Sequence, residues 1–132
     1  MTQATQSLPQ LQGRLLWLLR LEGAALLVAA AGFYAHFGQS WWLFLVLSLV
    51  PDLSMLGYLA GPRVGALAYN SVHTTLPPFA LLGIGALAGS RVAMAIAAIW
   101  LAHIGLDRLL GYGLKHASAF SDTHLGRIGR RA

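Results

Sequence analysis

Val92–Leu110 reads VAMAIAAIWLAHIGLDRLL. It is an unbroken apolar run of about the 20 residues a helix needs to cross the hydrocarbon core of a bilayer, and its only charges, Asp107 and Arg108, come near its end. Three comparable stretches precede it, Leu15–Tyr34, Trp41–Leu59 and Val64–Leu87, joined by the short connectors His36–Ser40, Gly61–Arg63 and Gly89–Arg91. This pattern predicts an all-α, four-transmembrane-helix bundle. Residues 1–132 form one membrane domain, with a polar, flexible N-terminus at 1–13 and a short interfacial C-terminal tail at 111–132. Tyr34, Trp41 and Trp42 fall where the first turn meets the interface, as an aromatic belt would.

The composition requires the same solvent. The chain has 132 residues, of which 57% are hydrophobic and only 10% charged. Its mean hydropathy is +0.64. A soluble domain carries about a quarter charged residues, and this chain has too few to cover its apolar surface in water. Lipid removes that problem. The absence of cysteine excludes disulfides, thiolate nucleophiles and cysteine–metal sites. A net charge of +5 raises the question of nucleic acid. The basic residues flank apolar runs instead of forming a stripe, however, and no nucleic-acid-binding motif accompanies them. They read as lipid-headgroup anchors and topology signals. Ala29–Ala31 has the small residues of a signal-peptide cleavage region, but Glu22 at the start of the apolar stretch argues for a retained span.

Four spans put both termini on one side. That side collects Arg14, Arg20, Arg63, Arg108, Lys115, Arg127, Arg130 and Arg131, against Arg91 alone on the other. The bias places the termini in the cytoplasm, as in a multi-pass protein of the bacterial inner membrane.

Glu22, Asp52, Asp107 and Asp122 are the only acidic residues, and the first three lie within apolar segments. Carboxylates there face the bundle interior and find partners. On the predicted topology Glu22, Asp52, the Tyr69-Asn70-x-x-His73 group and the His103-x-x-x-Asp107 pair all reach the same, cytoplasmic half of the bilayer. His103 and Asp107 share a helix face, as do Asn70 and His73. Pro51 precedes Asp52, and Pro77-Pro78 follows His73; each proline leaves the carbonyl four residues back without its helix donor.

Two readings fit this set. In the first, Asp52, His73, His103 and Asp107 bind a divalent metal such as zinc, manganese or iron, which suits imidazole and carboxylate ligands on facing helices. Glu22 would act as a catalytic carboxylate or, like Asn70, as a further ligand, and Tyr69, Asn70, Arg108, Tyr112 and Lys115 would support the site or hold a substrate headgroup. In the second, the same groups form a hydrogen-bonded network that ties the helices together. Gly57-x-x-x-Gly61 and Gly85-x-x-x-Gly89 permit close helix approach, within the bundle or in a homo-oligomer.

The tail, Gly-Tyr-Gly-Leu-Lys-His-Ala-Ser-Ala-Phe-Ser-Asp-Thr-His-Leu-Gly from Gly111 to Gly126, reads as an interfacial anchor whose Asp122 and His124 have a further use. Folded back as a lid, either would supply a ligand or a general base.

The His103-x-x-x-Asp107-Arg108 group, the Gly-Tyr-Gly-Leu-Lys run and Asp122-Thr123-His124-Leu125-Gly126 resemble domain-of-unknown-function family 4260. The resemblance extends over Arg20-x-Glu22, Pro51-Asp52 and Tyr69-Asn70-x-x-His73. It implies a four-span, mostly bacterial membrane protein and brings no activity or ligand. A second likeness is to membrane-bound metal-dependent hydrolases, which also carry His and Asp on transmembrane helices but have a richer early histidine motif.

The functional expectation is therefore a small membrane protein with a His/carboxylate site open to the cytoplasmic leaflet, performing metal-dependent hydrolysis of a lipid-linked substrate. The alternatives are a proton-coupled carrier, for which the apolar outer halves at Ala24–Ala31 and Ala80–Ala88 provide no continuing relay, and an accessory subunit with a structural cluster.

Overall fold

The structure, a computed structural model, describes residues 8–112 and two short strands, Asp122–Thr123 and Gly126–Arg127, which pair antiparallel. Everything else described is helical or turn. Four helical stretches are long and apolar enough to cross a membrane: Gln12–His36, Trp41–Ala60, Pro62–Ala88 and Arg91–Leu109. The first belongs to α1 (Leu8–His36), which begins inside the segment read as a polar N-terminus. The second is α2 (Trp41–Ser48) continued by a 3₁₀ segment, Val50–Ala60. The third is α3 (Pro62–His73) followed by α4 (Leu76–Ala88), and the fourth is α5 (Arg91–Leu109). The short connectors make successive spans antiparallel, so the turns near Ser40 and Ser90 share one end of the bundle, and Gly61 and Leu109 share the other.

Proline explains why the two middle spans are broken. Pro51 has no N–H to give Leu47, and the following amide, Asp52 N–H, bonds Leu49 three residues back at 3.2 Å. The helix tightens to 3₁₀ from there. In the third span, α3 stops at His73 with Thr74 extended (ψ 151°), and Pro77 and Pro78 sit in the first turn of α4, where a missing N–H costs nothing. Both breaks were read from the prolines only as freed carbonyls within single continuous helices.

α5 is the hub. Its buried positions include Ala95, Ala97, Ala98, Ile99, Leu101, Ala102, His103, Ile104 and Gly105, whereas the other spans turn most of their side chains outward. Leu59, Leu87, Leu76 and Val28 are 71–92% exposed, as expected of surfaces solvated by lipid chains. α1 lies against α5 through glycine. A Cβ on Gly105 would stand 2.6 Å from Leu27 N, and one on Gly23 would stand 2.6 Å from Arg108 Cβ. Only bare glycines let the two backbones come so close. Arg20 fastens the same pair by donating from Nε to Leu109 O at 2.8 Å, at the C-terminus of α5. Gly57 and Gly85 also pack within the chain, against Ala68 and Gly65 and against Ala93 and Met94 respectively.

At the other end Tyr34 departs from its expected role. It is fully buried, donates to Ser40 O at 2.6 Å, and packs its ring against Trp41 and Phe44. Trp41 and Trp42 remain exposed as belt residues would.

Candidate metal centre

Each donor reaches the centre because of a local feature of its span. His103 and Asp107 lie one turn apart on α5, the most buried helix. Asp52 opens the 3₁₀ segment just after Pro51. His73 is the last residue of α3, at the break before the prolines. Three spans thus converge, and both imidazoles are buried, at 3% and 7% exposure.

The four donor atoms form a compact cage. His73 Nε2 lies 3.2 Å from His103 Nε2, 3.4 Å from Asp52 Oδ1 and 3.5 Å from Asp107 Oδ2. His103 Nε2 lies 3.3 Å from Asp52 Oδ1 and 3.2 Å from Asp107 Oδ2. All four atoms fall within 4.8 Å of one another. A tetrahedral ion with bonds of roughly 2.0–2.1 Å has ligand–ligand edges of about 3.3 Å, close to the five edges that involve an imidazole nitrogen.

His73 Nδ1 is 2.9 Å from the Tyr69 carbonyl, an acceptor, so Nδ1 carries the proton. In the neutral ring, Nε2 then presents a lone pair to two carboxylate oxygens and a second imidazole nitrogen. Such a convergence of lone pairs is bridged either by a proton or by a cation, and the donor set would suit zinc, manganese or iron(II). Tyr69 is buried and stacks its ring on His73 at 3.7 Å and 8°, which holds the imidazole plane. His103 has a backbone partner in the Ser48 carbonyl. That carbonyl is free because the residue three ahead is Pro51 and the amide four ahead bonds Leu49. Such outer partners orient metal-binding imidazoles. Ser48 was missed in the sequence, where counting four back from Pro51 leads to Leu47; only the change to 3₁₀ geometry moves the free acceptor by one. Trp100, also missed, donates from Nε1 to Val72 O at 2.7 Å and ties α5 to α3 beside the ligands.

The centre is open on one side. The Asp52 side chain is 41% exposed and that of Asp107 19%. Asp52, His103 and Asp107 border a cavity of about 320 Å³ whose other walls include Leu27, Phe44, Leu45, Leu49 and Leu106.

The remaining sequence candidates divide by position. Asn70 is half-buried on α3 beside Tyr69, and Arg108 is half-buried on α5, within electrostatic reach of Tyr69 and Asp107. Tyr112 donates its backbone N–H to Asp107 O at 2.7 Å and leaves its ring outward. Glu22 is exposed on α1 and is not among the four grouped donors. Asp122 lies in the first short strand, its side chain outside the described residues, as are Lys115 and His124. The lid therefore has no described counterpart.

Residues 16–128 match the family described as Domain of unknown function (DUF4260). The chain belongs to that family. No curated protein and no solved structure is similar to this DUF4260 protein, so its chemistry is argued from the centre itself.

Proposed function

We propose that this DUF4260 chain is a membrane-embedded, metal-dependent hydrolase acting on a lipid-linked substrate. The observation that carries the reading is the cage of Asp52, His73, His103 and Asp107, whose donor atoms lie within 4.8 Å of one another with one side open to an apolar cavity. A divalent cation held there would polarise a substrate oxygen and acidify a water molecule near neutral pH. The two imidazoles, anchored by Tyr69 O and Ser48 O, fix the cage. Asp52, the most exposed of the four, is the carboxylate able to release its hold and accept a proton from water. The apolar walls keep bulk water from the centre and strengthen its electrostatics.

The excess of Lys and Arg on the side of the Gly61 turn and the Leu109 end, eight against one, orients that side to the cytoplasm. The protein then sits in the inner membrane with both termini inside and the centre open to the cytoplasmic leaflet. Against a proton-coupled carrier stand the apolar stretches Ala24–Ala31 and Ala80–Ala88, which continue no relay toward the other face.

Elemental analysis of untagged, detergent-purified protein beside a His73→Ala/His103→Ala double variant tests the reading. Near-stoichiometric zinc, manganese or iron that disappears in the variant is expected. A folded wild-type protein without metal, even after incubation with each ion, would refute it.

A further inference from the structure

The cavity beside the centre has a polarity gradient. Its donor end holds Asp52, His103 and Asp107, with Leu106 and Leu27 at the same level; moving toward the Trp41 end of the bundle, the walls become Leu49, Leu45 and Phe44. In the opposite direction, about one residue rise (~1.5 Å) beyond Asp107 along α5, comes Arg108. Among the described residues its guanidinium has neither hydrogen bond nor ion pair, and its charge acts on Asp107 and Tyr69. The order along the bundle is therefore cation, metal donors, apolar slot.

That is the order of groups in a lipid of the leaflet on the Leu109 side: anionic headgroup outermost, ester or phosphoester bonds next, hydrocarbon toward the midplane. The slot also opens sideways. Leu45, Leu49 and Leu106 are 54%, 62% and 42% exposed, facing the surrounding hydrocarbon. A chain can slide in from the bilayer without crossing water. The volume lies at the lower end of the roughly 300–1,000 Å³ of small-molecule sites, enough for one chain segment and not for a whole diacyl lipid.

Charge selects the headgroup. Two carboxylates cancel a divalent ion, so with the centre loaded Arg108 leaves positive charge beside it, with Arg20 at the same end of the bundle, and a guanidinium pairs best with phosphate or carboxylate. We infer that the substrate is a phosphate-bearing membrane lipid that enters laterally between spans 1 and 2, lays one chain along Leu45, Leu49 and Leu106, and brings its phosphate between the metal centre and Arg108. This inference rests on the metal reading and names its substrate class.

The test uses metal-loaded protein and two probes with the same chains, dioleoylphosphatidic acid and dioleoylglycerol, with retained lipid counted by native mass spectrometry and metal content measured on the same samples. Wild type is expected to prefer phosphatidic acid. Leu49→Trp, and independently Leu45→Trp, should fill the slot and lose that lipid while keeping the metal, which also shows that each variant has folded. Arg108→Gln should keep the metal and lose at least roughly tenfold in preference over the diacylglycerol, the scale of one charge-assisted hydrogen bond. Phosphatidic acid bound equally by the tryptophan variants, or no preference in wild type, overturns this inference and leaves the metal centre standing. Inorganic phosphate stabilising wild type and Leu49→Trp alike would assign the site to free phosphate and overturn the lipid. A wild-type protein that takes up no metal removes the hydrolase reading and this inference with it.

Discussion

The outer pair of spans, α1 and α5, and the inner pair, α2 with its 3₁₀ continuation and α3 with α4, solve different problems with the same apolar alphabet. The outer pair is unbroken and pressed together at Gly23 and Gly105. The inner pair is interrupted twice, each time beside a candidate metal donor: Pro51 next to Asp52, and the Thr74–Thr75 break next to His73. α5 needs no break because a helical turn already sets His103 and Asp107 on one face. A lone donor on a span has no such partner. The interruption lets it turn inward and frees backbone groups to steady the imidazoles, much as irregular backbone at membrane depth is tolerated where it lines a site. One pair supplies rigidity, the other aim.

If that division is right, the largest effect comes from separating the outer pair. Gly105→Leu would force a side chain into the backbone of Leu27 and Gly23, a clash costing about 3 kcal/mol or more. The expected result is loss of the monodisperse species on size-exclusion chromatography in detergent, and a well-behaved variant would break the comparison at its root. Next is His103→Ala, which leaves the outer pair packed and should empty the centre. The fold should survive but lose the stabilisation of the bound ion, about 2.7 kcal/mol when metal is at a hundred times its Kd. Thermal unfolding with and without added zinc reads this: wild type should respond to zinc, the variant should not.

Pro51→Ala sharpens the claim about breaks. It restores an amide that can close an α-helical turn and withdraws the 3₁₀ geometry that exposes the Ser48 carbonyl to His103. Metal affinity should fall roughly 10–100-fold, as when an outer partner of a ligand is lost, with little change in apo stability. Competition against a chelating dye measures it, and unchanged affinity would mean that the break does not aim the donor. The smallest effect belongs to Ser90→Ala. Its hydroxyl accepts from Ala93 N at 3.2 Å and caps α5. Removing it should cost about 1 kcal/mol and leave metal affinity untouched, because it acts on the scaffold alone.

The same contrast explains what the sequence revealed. Long apolar runs make spans legible, because the bilayer fixes their length. The four metal candidates were legible because ionisable groups at membrane depth must meet partners, and Asp52, His73, His103 and Asp107 do meet. Glu22 obeyed the same logic on paper, yet it faces outward, since depth gives no azimuth and α1 turns Gly23 to α5 at the next residue. The breaks were half legible. The prolines announced them, but whether a proline kinks, tightens or ends a helix depends on the neighbouring span, and no local signal shows that Ser48 would replace Leu47 as the free acceptor.

The pairing of α1 with α5 also has a consequence in time. α1 rests on α5, which is made after the other three described spans and brings two of the four donors with it. Until Arg91–Leu109 has left the ribosome, the three earlier spans sit in the membrane with the glycine face of α1 uncovered and with Asp52 and His73 without His103 and Asp107. Spans 2 and 3 can already pack through Gly57 and Gly65, but closure of the cage is a late event, and a chain halted before α5 holds only half of it, a form that quality-control proteases can tell from the finished one.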